Sequence, residues 1–309
     1  MTAASRTTTN EGERAPAMGV APPGYRLPAE LRLGEVRLQV ADLAVSLEYY
    51  ERVLGLRVRD REAGSATLAT FGDDTPLVCL HERHGAAPVP HRGLFGLYHY
   101  AILLPERAAL GRFVAHLSAI GERSGASDHL VSEALYLRDP DGLGIEVYAD
   151  RPRHDWLATD GQIRMATEPL DLRAVVAAAG GERWTGMPAG ARMGHVHLHV
   201  ADLERASSLY HDALGLDRMV WNYPGALFLA AGGYHHHLGL NTWAGAGARP
   251  AGEGDARLLE WRMELPAAHA TRARASVEAA GHAVSSTGEG WRVTDPWGTT
   301  LHVVGAQTA

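Results

Sequence analysis

The chain repeats itself four times, and that repetition limits the folds open to it more than any other feature. Val40-Ala41-Asp42-Leu43, running on to Tyr49-Tyr50-Glu51-Arg52-Val53-Leu54-Gly55-Leu56, recurs as Val200-Ala201-Asp202-Leu203 through Leu209-Tyr210-His211-Asp212-Ala213-Leu214-Gly215-Leu216. Each copy reads as a short apolar strand, a break, an amphipathic helix and a glycine stop. Asp42 and Asp202 are natural N-caps, and Gly55 and Gly215 natural C-terminal stops. Two further copies start at His99 and Glu260, run to Pro105 and Pro266, and lead into helices. They close on Asp139-Pro140-Asp141-Gly142 and Asp295-Pro296-Trp297-Gly298. Asp-Pro-x-Gly makes a turn because proline presets φ and glycine tolerates positive φ.

These copies are βαβββ modules. Paired modules curl into sheets with one buried face, which predicts an α+β fold of four βαβββ modules forming two half-open β-barrels with outer helices. Two modules fall in residues 31–150, an N-terminal domain, and two in residues 191–306, a C-terminal domain. Residues 151–190 form a connector, with a helix expected from Asp171 to Ala179. Residues 1–30 are rich in Thr, Ala, Gly, Pro and Glu and read as a flexible tail.

Composition narrows the function classes. A net charge of −7 argues against a nucleic-acid partner and an anionic membrane surface. All 29 basic residues are arginine, which excludes Schiff-base lysine catalysis and a P-loop lysine. The single cysteine, Cys79, allows no internal disulfide, fits a reducing cytoplasm and is expected in the core. There is no run of eighteen apolar residues and no signal pattern at the N-terminus, so a cytoplasmic protein without membrane spans is expected. A homo-oligomer is expected as well.

Histidine is the outlier, with 17 copies, and the repeat sorts them. Six residues before the break in each module stand Glu35, His99, His195 and Glu260, all able to bind metal at the start of an apolar strand. Four residues past a turn glycine stand Glu146, His237 and His302, the first module offering only Val78, Cys79 and Leu80. Two imidazoles and a carboxylate hold a non-haem Fe(II) by one face and leave the opposite positions open. Sequential pairing of modules puts Glu35, His99 and Glu146 in one cup. Pairing two with three and one with four puts His99, Glu146, His195 and His237 together. Strand alternation places His195, His197 and His199 on one face, and His235 and His237 on another. Register favours His237, while a bulge would bring in His236.

The phrases Gly96-Leu97-Tyr98-His99-Tyr100-Ala101-Ile102-Leu103, Ser132-Glu133-Ala134-Leu135-Tyr136-Leu137-Arg138-Asp139-Pro140-Asp141-Gly142 and Gly232-Gly233-Tyr234-His235-His236-His237-Leu238-Gly239-Leu240-Asn241 carry a resemblance. Over residues 33–305 the chain resembles the vicinal oxygen chelate superfamily of glyoxalase I, bleomycin-resistance proteins and extradiol dioxygenases, and within it the two-domain catechol 2,3-dioxygenase-like proteins. The resemblance implies His99, Glu146 and His195 as metal ligands and so favours the pairing of modules two and three. It implies an acid–base histidine at His237, or at His236. It implies Tyr136 as a hydrogen-bonding partner of the substrate oxygen and His129 as a stabiliser of charge on dioxygen. The implied cofactor is Fe(II), with Mn(II) or another divalent metal as an alternative. The implied reaction is extradiol cleavage of a small catechol-type aromatic with dioxygen. Trp221, Tyr223, Phe228 and Trp243 are expected to line the cup. The competing readings are a glyoxalase-like lyase or isomerase, which needs a second last-strand carboxylate, and a metal-free binding protein.

Overall fold

The computed structural model describes residues 18–306. The four modules are present in order. Module one holds β1 (Arg32–Val40), α1 (Leu43–Arg52), β2 (Arg57–Glu62), β3 (Ser65–Ala69) and β4 (Pro76–Glu82). Module two holds β5 (Leu94–Leu103), α2 (Arg107–Ile120), β6 (Gly125–Asp128), β7 (Ser132–Arg138) and β8 (Gly144–Asp150). The connector carries β9 (Ala158–Thr159), β10 (Gln162–Ile163) and α3 (Leu172–Ala178), the last capped by the Asp171 carboxylate. Module three holds β11 (Arg192–His199), α4 (Leu203–Ser207), a π-helical turn Ser208–Ala213, β12 (Asp217–Val220), β13 (Ala226–Ala230) and β14 (Leu238–Asn241). After β15 (Arg249–Pro250), module four holds β16 (Arg257–Pro266), α5 (Ala267–Ala279), β17 (Val284–Ser286), β18 (Gly290–Thr294) and β19 (Thr300–Ala306).

The modules pair by exchange. One curled sheet runs β12-β13-β14-β11-β5-β8-β7-β6, joining modules three and two. The other runs β17-β18-β19-β16-β1-β4-β3-β2, joining modules four and one. The halves 31–150 and 191–306 therefore describe module order along the chain, and each half gives one module to each sheet. The seams are antiparallel pairings of first strands, β5 with β11 and β1 with β16.

Sequential modules are tied together differently. The helix tyrosine of one module donates to the turn aspartate of the next: Tyr50 to Asp139 Oδ2 at 3.1 Å and Tyr210 to Asp295 Oδ2 at 3.2 Å. Asp139 Oδ1 also accepts from the Asp141 and Leu143 amides at 3.0 and 2.8 Å. Burial, with the charge of Asp141 beside it, pushes the Asp139 carboxyl up to about 7. The folded state thus holds this proton more tightly than the unfolded chain, whose ordinary value is 3.8. The stability it contributes is complete below about pH 4 and declines as pH rises towards 7. Urea unfolding from pH 4 to 8 is expected to show that decline, and Asp139→Asn to flatten it. Asp139→Ala, which strands three donors, is expected to cost about 2–4 kcal/mol.

Two expectations need correction. Residues 18–30 are not a free tail. Leu27 is buried, Arg26 pairs with Asp217 at 2.7 Å, and Val20 bridges Arg218. The apolar Leu27 and the buried Asp217 carboxylate give this segment something to pack on. Residues 1–17 lie outside the described residues. Cys79 is half-buried rather than a core residue, because strand alternation turns Val78 and Leu80 inward and Cys79 to the other face. Among the described residues no helix is long and apolar enough to cross a membrane.

Candidate metal centre

The β5–β11 seam brings together residues from both halves. His197 lies opposite His99 and His195 opposite Ala101, so His99 and His195 occupy equivalent places about the pseudo-twofold axis between the strands. Parallel pairing on β5 then sets Glu146 of β8 beside Ala101. His99 Nε2 and Glu146 Oε2 are 3.0 Å apart, His195 Nε2 and Glu146 Oε2 3.1 Å, and the two Nε2 atoms 3.3 Å. All three side chains are buried. Among the described residues they form the one group of three or more His, Cys, Asp or Glu whose ligand atoms converge closely enough to hold an ion.

Donors at these separations all lie about 2.1 Å from a common point, with angles of roughly 90–105° between them, as ligands on one face of a divalent ion do. Their protonation states fit as well. Burial lowers His99 and His195 below the ordinary imidazole value. Burial opposes ionisation of Glu146, but the two imidazoles hold it well below the usual carboxylate range. One ionised carboxylate and two neutral imidazoles are the forms that bind metal.

The same pairing places the equivalent of Glu146 in every module. Beside the first strands stand Glu146 against Ala101, Gly239 against His197, Cys79 against Arg37 and His302 against Arg262. Module three thus has a glycine where a ligand was expected. A Cβ at Gly239 would come within 2.7 Å of the His197 ring, which occupies that space. In the other sheet arginines supply the positive charge. Arg292 and Arg37 reach Glu260 at 2.6 and 3.4 Å, and Arg262 reaches Glu35 at 3.5 Å. His302 lies 3.8 Å from Glu260 and bonds Thr287 at 3.0 Å.

A cavity of about 220 Å³ opens on His99, Glu146 and His195. Its aromatic wall is Tyr98, Tyr223, Phe228 and Trp243. Trp221 stays outside that wall, 38% exposed. Tyr136 and His129 line it too, their side chains 2.5 Å apart. His129 Nδ1 donates to the Ala166 carbonyl at 2.7 Å, so in the neutral ring Nε2 accepts from the Tyr136 hydroxyl. Burial pushes the Tyr136 phenol up, and Glu146 beside it pushes the same way.

His237, which register favoured, does not face this cavity. It lines a separate one with Arg153, Arg192 and Tyr234, and accepts from the Ala231 amide. His236 faces the candidate site instead, its ring centroid 4.0 Å from that of His195. The reason is local. β14 begins only at Leu238, after two glycines in left-handed conformation, Gly232 (φ 63°) and Gly233 (φ 69°). Strand alternation does not extend back over the histidine run, and Gly233 is not the Asp-Pro-x-Gly turn from which the other modules are counted.

Several wall residues escaped sequence reasoning. Met165, Ala166 and Thr167 come from the connector. Tyr98 adjoins His99 but was not singled out. His197, expected on the face of His195, does line the cavity, and its place is set by Asn241. The Asn241 oxygen accepts from the Trp243 amide at 3.0 Å and from His199 Nδ1 at 2.6 Å. Its amide nitrogen donates to His197 Nε2 at 2.9 Å.

Residues 32–147 match the family model described as Glyoxalase/Bleomycin resistance protein/Dioxygenase superfamily. A catechol-2,3-dioxygenase of Bacillus subtilis (strain 168) is 42% identical over 271 residues, covering 86% of this chain and 94% of that protein. A crystal structure of a putative dioxygenase from Bacillus subtilis superposes with a TM-score of 0.62 at 13% identity, covering 91% of this chain and 86% of the other. Glyoxalase I from Zea mays superposes with a TM-score of 0.52 at 18% identity, covering 89% and 92%. At these identities the two structures speak for the fold alone.

Proposed function

The chain belongs to the glyoxalase/bleomycin resistance protein/dioxygenase superfamily and is an extradiol dioxygenase, and from that premise we propose that it cleaves a single-ring catechol beside an iron(II) ion held by His99, Glu146 and His195. The convergence of these three donors within 3.3 Å of one another at the floor of an aromatic-walled cavity carries the reading. When bound, the ion supplies Lewis acidity towards a vicinal diol and redox coupling to dioxygen, and two imidazoles with one carboxylate suit Fe(II), or Mn(II), better than a soft ion.

The remaining work falls to side chains. Tyr98, Tyr223, Phe228 and Trp243 would hold the ring and keep water out. The cavity is smaller than the roughly 300–1,000 Å³ of drug-sized sites, which favours one ring over a fused system. Tyr136 would meet a substrate oxygen through its hydroxyl, with His129 anchoring that hydroxyl. His236 would move the proton that catechol must lose, since it reaches the cavity and His237 does not. A glyoxalase-like lyase is disfavoured because Gly239 stands where its second last-strand carboxylate is needed.

The deciding experiment is anaerobic reconstitution with Fe(II), followed by air and a panel of catechols. A yellow ring-cleavage product is expected from at least one simple catechol, and none from Zn(II)-loaded protein. No product from any catechol would overturn the substrate assignment.

A further inference from the structure

Behind His236 lies a chain of polar groups, running from the interior to the half-buried Asp150, with no part in holding the ion. His235 is fully buried, and its Nδ1 lies 2.7 Å from His236 Nδ1. On its other side His235 Nε2 lies 3.0 Å from Asp150 Oδ1. Asp150, at the end of β8, is 25% exposed and also accepts from the Tyr234 hydroxyl at 3.1 Å. Since that hydroxyl's one proton goes to Asp150, Tyr234 accepts in turn from Tyr148 at 2.7 Å.

With a carboxylate at one end and a neutral imidazole in the middle, these contacts leave one direction for each hydrogen bond. An ionised carboxylate only accepts, so His235 Nε2 carries a proton and donates to Asp150. A neutral His235 then has a lone pair on Nδ1. His236 must donate to it through its own Nδ1–H, which leaves the lone pair of His236 on Nε2. That nitrogen has no hydrogen-bonding partner among the described residues, while its ring lines the cavity. In free neutral imidazole the opposite tautomer is preferred, so the arrangement has a definite consequence.

We propose that His235 and Asp150 are positioning residues that lock His236 in the Nδ1–H tautomer and so present its Nε2 lone pair to the substrate as a proton acceptor. The inference rests on the reading of His236 as the proton-handling group. It extends that reading to a His–Asp pair from opposite halves of the chain. The logic parallels that of a buried aspartate setting the tautomer of a catalytic histidine in hydrolases.

The test uses the full-length chain with 15N-labelled histidine, first free of metal and then with diamagnetic Zn(II). Two-dimensional 15N–1H spectra report which ring nitrogen carries the proton, and His236→Gln assigns the signal. His236 is expected as Nδ1–H in the native chain. In His235→Phe and in the isosteric Asp150→Asn the Nε2–H form is expected to gain population. In Fe(II)-loaded protein the same variants are expected to lose about 10–100-fold in kcat, the range of losses when a supporting partner of a site is removed, with KM within about twofold. An Nε2–H signal in the native chain, or an unchanged tautomer in His235→Phe, overturns the proposal. A correct tautomer shift in a protein that cleaves no catechol would instead overturn the substrate reading and leave the lock standing.

Discussion

Glu146→Ala is expected to strip the chain of its ion while leaving it folded. Glu146 is the only formal charge in the donor set, and it is 2% exposed between two imidazoles held neutral by burial. Without it, two neutral nitrogens 3.3 Å apart remain, and they cannot offset the dehydration of a divalent cation. Metal content measured by elemental analysis should fall from about one per chain to under a tenth. Ring-cleavage activity should fall by more than the roughly 10–100-fold typical of lost supporting partners, on the order of a thousandfold or beyond. Stability supplies an independent readout. An ion at about 100 times its dissociation constant stabilises the native chain by about 2.7 kcal/mol, and Glu146→Ala should lose that metal-dependent rise in melting temperature. The metal-free variant is expected to be somewhat less stable than native, because two buried imidazoles lose their shared acceptor, so the diagnostic readout is the metal-dependent rise and not the absolute melting temperature. A variant that still binds a full equivalent of Fe(II) would refute the ligand assignment, and His99→Ala provides the parallel check.

Gly144→Ala is expected to damage fold and site together. Gly144 opens β8 against β5, and a Cβ there would lie 2.0 Å from the Tyr98 carbonyl oxygen and 3.1 Å from His99 Cβ. Backbone cannot yield as a flexible side chain can, so the strands must separate. Overpacking of this kind costs typically 1–3 kcal/mol and more where backbone is struck, so about 3 kcal/mol is expected from urea unfolding. The displacement acts on the strand pair that sets His99 beside Glu146, so Fe(II) affinity should fall at least about tenfold as well. Gly254→Ala is the control, since nothing lies within 4 Å of its Cβ position, and it should stay within about 0.5 kcal/mol of native. Equal behaviour of the two variants would show that the β5–β8 approach is looser than described.

What could be read from the residues follows from how local each signal is. The helix caps at Asp42 and Asp202 and the Asp-Pro-x-Gly turns are decided within a few residues, so they announced four modules. His99 and His195 were found together because both first strands begin at the same distance from their breaks, and the pseudo-twofold seam preserves that distance. The last strands carry no such shared origin. Counting from Gly233 led to His237, two residues short of Gly239, because the loop before β14 is built differently from the turn before β8. The connector's share of the cavity wall arises only when Met165 to Thr167 fold across the sheet, with His129 bonded to the Ala166 carbonyl. No periodicity announces a contact of that kind. The pairing of modules lies between these extremes. The residues alone left two pairings open, the ligand set implied by the family resemblance favoured the exchanged one, and the propensities of the strands gave no hint of it.

The exchanged pairing of modules makes the metal centre an internal interface. His99, Glu146, Tyr136 and Asp150 come from the first half, and His195, His235 and His236 from the second. A half-chain carries no complete donor set, so the two halves relate to one another as two subunits would. The connector, with its own strands and helix, converts their meeting into a unimolecular event. Assembly of the centre therefore does not weaken on dilution. The two sheets also differ in what they do with equivalent places: one gathers His99, His195 and Glu146, while the other pairs Glu35 and Glu260 with Arg262, Arg37 and Arg292.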